Sequence, residues 1–204
     1  MISLVTMVKN EEKNLPKMFQ SVEGLVHEKI VVDTGSTDGT IELCKDHGCK
    51  VIENLQDWHI DIFAENKNLA LSHATGDWVL CLDADEELSE ELNNEIRNFL
   101  QLDHDALRVR RIHFYRKQKC TKDKLIKFFK REKYFFKTFN GCHEHPVIDE
   151  KGNLGNFKNS QYPLYHWGWM NMTKENFLLK KEIYGKGEYE GHFKIMEEQF
   201  GLIK

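Results

Sequence analysis

The chain has 204 residues, of which 40% are hydrophobic and 30% are charged, and its formal net charge is −4. This length fits one domain with a core of its own, and the composition excludes a disordered or fibrous protein. No apolar run approaches the roughly 20 residues that span a bilayer, and the N-terminus lacks the pattern of a signal peptide, so we expect a cytoplasmic protein.

Charge is distributed unevenly along the chain. Residues 1–107 hold 8 basic and 22 acidic side chains, residues 108–137 hold 13 and 2, and residues 138–204 hold 8 and 9. A basic block such as 108–137 attracts phosphate on a sugar donor, on an anionic acceptor or at the inner face of a membrane. We therefore keep peripheral membrane association as one expectation for this block, with a solvated surface as the alternative.

Short β-rich runs alternate with helical patterns over the first hundred residues, which is typical of a largely parallel sheet. The predicted strands cover residues 2–8, 29–33, 51–52, 78–82 and 106–112. The predicted helices cover residues 12–24, 64–74 and 89–100, and one more begins at Ser36 or Thr37 and ends near 48. Beyond residue 113 the aromatic and basic runs do not separate helix from strand, apart from a capped helical pattern over 173–190.

Polar clusters follow three of these strands, at the point where each strand ends. They are residues 9–12 (KNEE), 33–39 (DTGSTDG) and 83–87 (DADEE). Because the carboxyl ends of parallel strands meet at one edge of a sheet, we expect the clusters to converge on one ligand site.

Asp83 and Asp85 are one residue apart, so both carboxylates can face a shared point. Paired carboxylates suit a hard cation such as Mg²⁺ or Mn²⁺, which can bridge them to a diphosphate that they would otherwise repel. The alternative is a solvated helix start, where acidic side chains favour the N-terminal dipole. The position after a buried strand, beside two other polar clusters, favours the metal site.

Five segments of the chain together resemble one enzyme family. They are SLVTMVKNEEKNL, IVVDTGSTDGTIELCKDHGCKV, FAENKNLALSHATGDWVLCLDADEEL, GCHEHPVID and LYHWGWMNMTKENFLLKK. In these segments the chain resembles the family 2 inverting glycosyltransferases, and most of all their bacterial lipopolysaccharide-core β-glucosyltransferase branch. The resemblance implies an α/β fold of the glycosyltransferase A type (nucleotide-diphospho-sugar transferase), with a mixed, mostly parallel central sheet flanked by helices. It also implies a single domain, in which about 1–105 binds the nucleotide sugar and about 106–204 binds the acceptor and ends in a helical extension.

The resemblance assigns donor-binding roles to five residues in the first half of the chain. Met7 and Lys9 stand where relatives contact the base, although relatives often have Pro and Tyr at these positions. Glu11 is placed to border the nucleoside. Asp33 matches a carboxylate that accepts a hydrogen bond from uracil or ribose, and Lys67 matches a basic position near the base and phosphates.

The same resemblance assigns two further residues to the metal and one more to the donor. Asp85 is expected to coordinate Mn²⁺ or Mg²⁺ directly, and His166 is expected to complete the metal ligands. Asp83 is expected to bind ribose or a metal-bound water. A packed histidine among aromatic side chains is the alternative for His166.

Inverting transfer requires one general base on the face opposite the leaving group. Glu144 is the candidate, because CHEHP resembles the HE motif of related transferases, and His143 or His145 is the next candidate. A purely structural loop is a further alternative. Cys142 and these histidines could also form a zinc site with His166, but they lack the paired CxxC or HxxxH spacing of structural zinc sites.

The resemblance implies a metal-dependent hexosyltransferase that moves a hexose, glucose by analogy, from a UDP-linked donor to a saccharide or lipid-linked acceptor in cell-envelope glycan synthesis. One alternative is an inactive nucleotide-sugar-binding or regulatory module, which the retention of Asp83, Asp85 and Glu144 disfavours. A protein or peptide glycosyltransferase is another. A nucleotidyltransferase is disfavoured, because KNEE is not a Gly-rich phosphate loop, and no nucleic-acid partner is expected.

Overall fold

The computed structural model of the chain describes residues 1–56, 61–115, 118–139, 143–168 and Leu178; the side chains of residues 115, 118–122 and 143 are outside this description. The helix predicted over 173–190 lies outside the described residues. Among the helices within them, none has the length and apolar character needed to cross a bilayer.

Ten strands and four helices make up the described part of the chain. The strands are β1 (Ile2–Val8), β2 (Glu28–Asp33), β3 (Lys50–Glu53), β4 (Trp78–Cys81), β5 (Glu86–Leu88), β6 (Ala106–Tyr115), β7 (Gln118–Lys130), β8 (Phe135–Phe139), β9 (His143–Val147) and β10 (Phe157–His166). The helices are α1 (Leu15–Ser21), α2 (Thr40–Asp46), α3 (Ile62–His73) and α4 (Glu90–Phe99). Each strand and helix predicted over the first 112 residues is present, although the bounds of α1 and α2 differ, whereas β5 was not predicted.

Eight strands form one sheet in the order β3–β2–β1–β4–β7–β6–β10–β5, and β8 and β9 form a separate antiparallel hairpin. Four of the seven pairings between the described strands of the large sheet are parallel, which confirms the mixed, mostly parallel prediction. Strand β7 runs antiparallel to both β4 and β6, so β6 and β10 point the same way as β1, β2 and β4. Their carboxyl ends therefore share one edge, which we call the ligand edge.

Apolar side chains cover both faces of the sheet. On one face α1 and α4 pack through residues such as Met18 and Phe99, and on the other α3 and the β8–β9 hairpin pack through Leu71 and Phe136. Helix α4 begins as predicted, because the Ser89 hydroxyl accepts the backbone N–H of Leu92 at 3.1 Å. This packing holds α3 and the hairpin over the same face of the sheet.

The start predicted for α2 is wrong. The helix begins at Thr40 with Gly39 as its N-cap, and neither Ser36 nor Thr37 caps it. The Ser36 hydroxyl instead bonds to Asp33 and accepts the backbone N–H of Asn10. The side chains that resemble caps in the sequence are used to join the loops after β1 and β2. Helix α1 is likewise shorter than predicted.

Candidate active site

The loop after β2 is shaped by Asp33, which is 1% exposed. Its Oδ1 accepts the backbone N–H groups of Gly35 and Ser36, both at 3.0 Å, and its Oδ2 accepts the Ser36 hydroxyl. Asn10, in the loop after β1, accepts the backbone N–H of Thr37 at 2.7 Å. The predicted donor residue Asp33 thus fixes the loop itself, and its contact with a nucleoside stays a prediction.

The acids of the loop after β1 also bind neighbouring loops. Oε2 of Glu11 accepts the Asn14 side-chain amide at 2.7 Å, and the backbone N–H of Glu11 donates to the Thr40 hydroxyl at 2.7 Å. Oε2 of Glu12 accepts the backbone N–H of Gly39 at 2.7 Å. A Cβ on Gly39 would lie 2.8 Å from that oxygen, so a larger residue there would displace the Glu12 carboxylate.

A cleft of about 330 Å³ lies beside these loops, at the ligand edge. Lys9, Thr34, Gly35, Leu55 and Gln56 line it. Its volume is at the lower end of the range for small-molecule sites. The predicted base-contacting residue Lys9 lies in this cleft, whereas Met7 is half-buried in β1 and is not among the described residues that line it.

Asp83 lies beyond the end of β4 and contacts three cations. Its Oδ1 is 2.7 Å from Lys67 Nζ, and its Oδ2 is 3.3 Å from Lys127 Nζ and 3.5 Å from Arg111 Nη1. Burial raises the pKa of Asp83, but Lys127, Lys67 and Arg111 outweigh burial and hold the pKa well below its usual range. Both oxygens of this carboxylate are therefore held, in the ionised form, by protein side chains.

A bulge in β7 brings Lys127 to this site. Leu107 pairs with Phe128 and Arg108 pairs with Ile126, so β7 has one residue more than β6 between the two pairings, and that residue is Lys127. A bulge of this kind redirects the side chain of the extra residue. Lys127 is 4% exposed. In a regular strand its side chain would point to the face opposite that of the residues on either side of it.

Glu86 is a buried carboxylate that pairs with two of these cations, Lys127 and Arg111. It is 1% exposed, and its carboxylate lies 2.6 Å from Lys127 Nζ and 3.0 Å from Arg111 Nη1. It also accepts the backbone N–H of Asp83 at 2.9 Å. Burial raises the pKa of Glu86, and Lys127 and Arg111 offset that increase only in part. Arg111 is oriented from its other side by Asp123, at 2.8 Å.

Lys67 connects Asp83 to the candidate base. Lys67 lies in α3 and is 4% exposed, and its Nζ is 2.6 Å from Oε1 of Glu144 in β9. Burial lowers the pKa of Lys67, but Asp83 and Glu144 outweigh burial and hold the pKa well above its usual value. The side chain of His143 lies outside the described residues. The charge cluster, as we call it, consists of Lys67, Asp83, Glu86, Arg111, Lys127 and Glu144.

Asp85 and His166 form a second, adjoining pair. Nε2 of His166 lies 3.4 Å from Oδ2 of Asp85, and the backbone N–H of Trp167 donates to the Asp85 carbonyl at 2.8 Å. Burial lowers the pKa of His166 to about 4, so its imidazole is neutral near pH 7. At Gly168 a Cβ would overlap Asp85 Oδ2, so a larger residue there would displace the Asp85 carboxylate.

The Asp85–His166 pair fits a divalent metal. A carboxylate and a neutral imidazole are ligands that Mn²⁺ accepts, whereas Mg²⁺ prefers oxygen alone. No group of three His, Cys, Asp or Glu side chains suited to a metal occurs in the described ranges, so other ligands would come from solvent or substrate. Cys142 and the His143 side chain, part of the alternative zinc site, lie outside those ranges.

The structure brings together some of the residues predicted from the sequence and adds others. Lys67, Asp83 and Glu144 meet in one cluster, and Asp85 meets His166. Arg111, Lys127 and Glu86 were not singled out. The only feature of the sequence that pointed to the two cations was the excess of positive charge over residues 108–137. Glu86 was one of four acidic residues in positions 83–87, and nothing set it apart from the others.

Residues 3–162 match the model of the family described as "Glycosyl transferase family 2". The chain belongs to glycosyl transferase family 2. An uncharacterised glycosyltransferase of Rickettsia typhi is 43% identical over 95 residues, which cover 47% of this chain and 31% of that protein. A TPR repeat-containing protein of Synechococcus elongatus is 44% identical over 99 residues, which cover 48% of this chain and 24% of that protein. The chain thus spans about a quarter to a third of these curated relatives.

A solved structure supports the fold. The crystal structure of S. aureus TarS 1-349 in complex with UDP-GlcNAc has a TM-score of 0.57 and 14% identity, with 89% of this chain and 65% of that chain covered. At this identity the likeness concerns the fold alone. Together with the family match, it confirms the glycosyltransferase A-type fold.

Proposed function

We propose that this family 2 glycosyltransferase is a metal-dependent, inverting hexosyltransferase with a UDP-linked donor, glucose being the expected sugar. The observation that carries the proposal is that Lys67 joins Asp83 to Glu144, at 2.7 and 2.6 Å, beside the Asp85–His166 pair. The residues that we propose for the donor, the metal and the base thus lie together at the ligand edge.

The donor would place its nucleoside in the cleft beside Lys9 and Gly35, with its diphosphate toward Asp85 and the charge cluster. TarS, which shares the fold, binds UDP-GlcNAc. The cleft and the shaped loops around Asp33 and Glu11 support a nucleotide at this end of the site. The choice of uridine and of glucose rests on the family resemblance.

The leaving group of the reaction is a nucleoside diphosphate, which gains negative charge as the bond to the sugar breaks. Lys67, Lys127 and Arg111 are fixed beside that position in ion pairs with Asp83, Glu86 and Glu144. Preorganised ion pairs of this kind can stabilise charge that develops in a transition state without reorganisation. A bound Mn²⁺, held by Asp85 and His166, would supply further neutralisation of the diphosphate. Mg²⁺ is the second candidate. It prefers oxygen ligands, and of Asp85 and His166 only Asp85 offers oxygen.

Glu144 is proposed as the base. Its carboxylate would take the proton of the acceptor hydroxyl while that oxygen forms a bond to the anomeric carbon and the bond to the diphosphate breaks. The contact with Lys67 Nζ orients the carboxylate, and with 17% of its side chain exposed it is open to an incoming hydroxyl. His143 remains the alternative base.

For the acceptor we propose a saccharide or a lipid-linked sugar of cell-envelope glycan synthesis, as in lipopolysaccharide-core assembly, made at the inner face of the membrane. This part of the proposal rests on the resemblance of the sequence. A protein acceptor is the alternative. The intact charge cluster favours a working enzyme over an inactive nucleotide-sugar-binding module.

The donor site can be tested without knowing the acceptor. Binding and hydrolysis of UDP-glucose, UDP-GlcNAc and GDP-mannose are measured with and without Mn²⁺, in wild type, Asp85→Ala and Asp46→Ala. Asp46, exposed at the end of α2, is the matched control. We expect Mn²⁺-dependent binding of a UDP sugar that Asp85→Ala weakens and Asp46→Ala retains. Binding that needs no metal and survives Asp85→Ala would refute the proposed donor site.

A further inference from the structure

Most described members of the basic block 108–137 are neutralised within the fold. Lys130 and Lys133 both bind Asp105 at 2.8 Å, and Lys137 binds Glu150 at 2.6 Å. Arg111 and Lys127 belong to the charge cluster. The remaining paired members are Arg131, which donates to the Gly76 carbonyl, and Arg108, which donates to Asn159 at 2.9 Å and stacks on Phe157.

Arg110 and Lys124 differ from these residues. They are direct partners on the antiparallel strands β6 and β7. Neither side chain forms a hydrogen bond or ion pair with any residue in the described part of the chain. Like charges placed directly opposite each other destabilise a sheet. An anion bound between the two side chains would remove that repulsion.

The strand register fixes the face on which this pair lies. Arg108 pairs with Ile126 and Arg110 pairs with Lys124, with no shift between the two pairings. Side chains two residues apart on a strand share a face, so Arg110 and Lys124 share the face of Ile126. That face is covered by the β8–β9 hairpin, because Ile126 and Phe136 belong to one apolar cluster.

The pair is also near the ligand edge and separate from the donor side. β6 runs toward that edge, so Arg110 lies two residues closer to it than Arg108. Arg111, the next residue, points to the opposite face and binds Asp83 and Glu86. Arg110 thus lies on the face covered by the hairpin that carries Glu144, and not on the face of Arg111.

We propose that Arg110 and Lys124 bind a phosphate group of the acceptor. The inference rests on the proposed function, since it takes Glu144 to mark the acceptor side. A guanidinium binds phosphate through two parallel hydrogen bonds and an ammonium adds a point charge, so the pair suits a phosphate monoester or diester. The phosphate belongs either to a phosphorylated saccharide or to a lipid-linked acceptor.

The test uses protein saturated with UDP and Mn²⁺, so that added phosphate compounds cannot occupy the donor site. Binding of glucose 6-phosphate and of glucose is measured by calorimetry for wild type, for Arg110→Gln/Lys124→Gln and for Lys133→Gln/Lys137→Gln. The last variant removes the same charge from the same block. In a second arm, co-sedimentation is measured with phosphatidylcholine vesicles that contain or lack phosphatidylglycerol.

We expect wild type and the control variant to bind glucose 6-phosphate about tenfold or more tightly than glucose, and Arg110→Gln/Lys124→Gln to lose that preference. Sedimentation with anionic vesicles that depends on Arg110 and Lys124 would instead assign the phosphate to a lipid-linked acceptor. If neither arm depends on the pair, the inference is wrong. If wild type does not bind UDP, the proposed donor site is wrong instead. Failure of the phosphate site and failure of the proposed function can therefore be told apart.

Discussion

Lys67 Nζ lies 2.6 Å from Glu144 Oε1, and the same ammonium lies 2.7 Å from Asp83 Oδ1. Residues from α3, from the end of β4 and from β9 thus share one buried cation. In the proposed reaction, a diphosphate that approaches Lys67 would compete with Glu144 for its ammonium. Donor binding and the freedom of the proposed base would then be coupled through this one side chain.

Glu144→Gln tests the role of that carboxylate. The amide keeps the size of the side chain and an oxygen that can accept from Lys67, but it is not a base. We expect UDP binding to be retained and turnover of the UDP sugar to fall by about 10²–10⁴-fold. The comparison is the rate of UDP release by wild type and variant under donor saturation.

The control for this substitution is Glu150→Gln. Glu150 is exposed and pairs with Lys137, outside the charge cluster. We expect this variant to turn over the donor as wild type does. A Glu144→Gln variant with wild-type turnover would remove Glu144 as the base and leave His143 or His145 as the candidates.

Gly168→Ala tests the metal pair without changing either ligand. The added Cβ would overlap Asp85 Oδ2 and come within 3.0 Å of His166 Cε1. We therefore expect Asp85 to be displaced and Mn²⁺ affinity in the presence of UDP to fall about tenfold or more. The measurement is a titration of Mn²⁺ followed by its electron paramagnetic resonance signal.

Gly48→Ala is the matched control for Gly168→Ala. A Cβ at Gly48 meets nothing within 4 Å, although the backbone φ of +70° makes alanine strained there. We expect a small loss of stability and unchanged Mn²⁺ affinity. If Gly168→Ala also binds Mn²⁺ as wild type does, Asp85 and His166 are not the metal ligands.

Asp105 gives the fold a defined acid sensitivity. Hydrogen bonds from Lys130 and Lys133 lower the pKa of Asp105 from its usual 3.8. A carboxyl group whose pKa is lower in the folded than in the unfolded state stabilises the fold at pH values above its unfolded-state pKa. This stabilisation is lost as the pH falls through the folded-state pKa. We expect the urea midpoint of Asp105→Asn to be below that of wild type at pH 7, and the difference to shrink below about pH 4. A constant difference from pH 7 to pH 3 would contradict this account.

The sequence predicted the parts of the site that depend on local pattern. Asp83 and Asp85 follow a visible apolar strand, and Glu144 lies in a short motif. Lys127 could not be found in this way, because its direction depends on a bulge that only the pairing of β6 with β7 creates. Ser36 and Thr37 failed as caps for a similar reason, since their partner Asn10 comes from another loop.

Lys127 and Glu86 form a buried ion pair, and Arg111 gives Glu86 a second cation. The atoms lie 2.6 Å apart, and the side chains are 5% and 0% exposed. Removing one partner of such a pair leaves a buried charge and costs about 3–5 kcal/mol, whereas replacing both by apolar residues is often close to neutral.

We therefore expect Lys127→Met to lower the free energy of unfolding, measured in urea, by about 3 kcal/mol, the low end of that range, because Arg111 still lies 3.0 Å from Glu86. In Lys127→Met/Glu86→Met much of that loss should be recovered, because the Glu86 carboxylate, which keeps Arg111 as its one cation in the single variant, is removed as well. Donor turnover should stay low in the double variant, since Asp83 has still lost one of its three cations. Recovery of both stability and turnover would mean that Lys127 serves the fold and not the diphosphate.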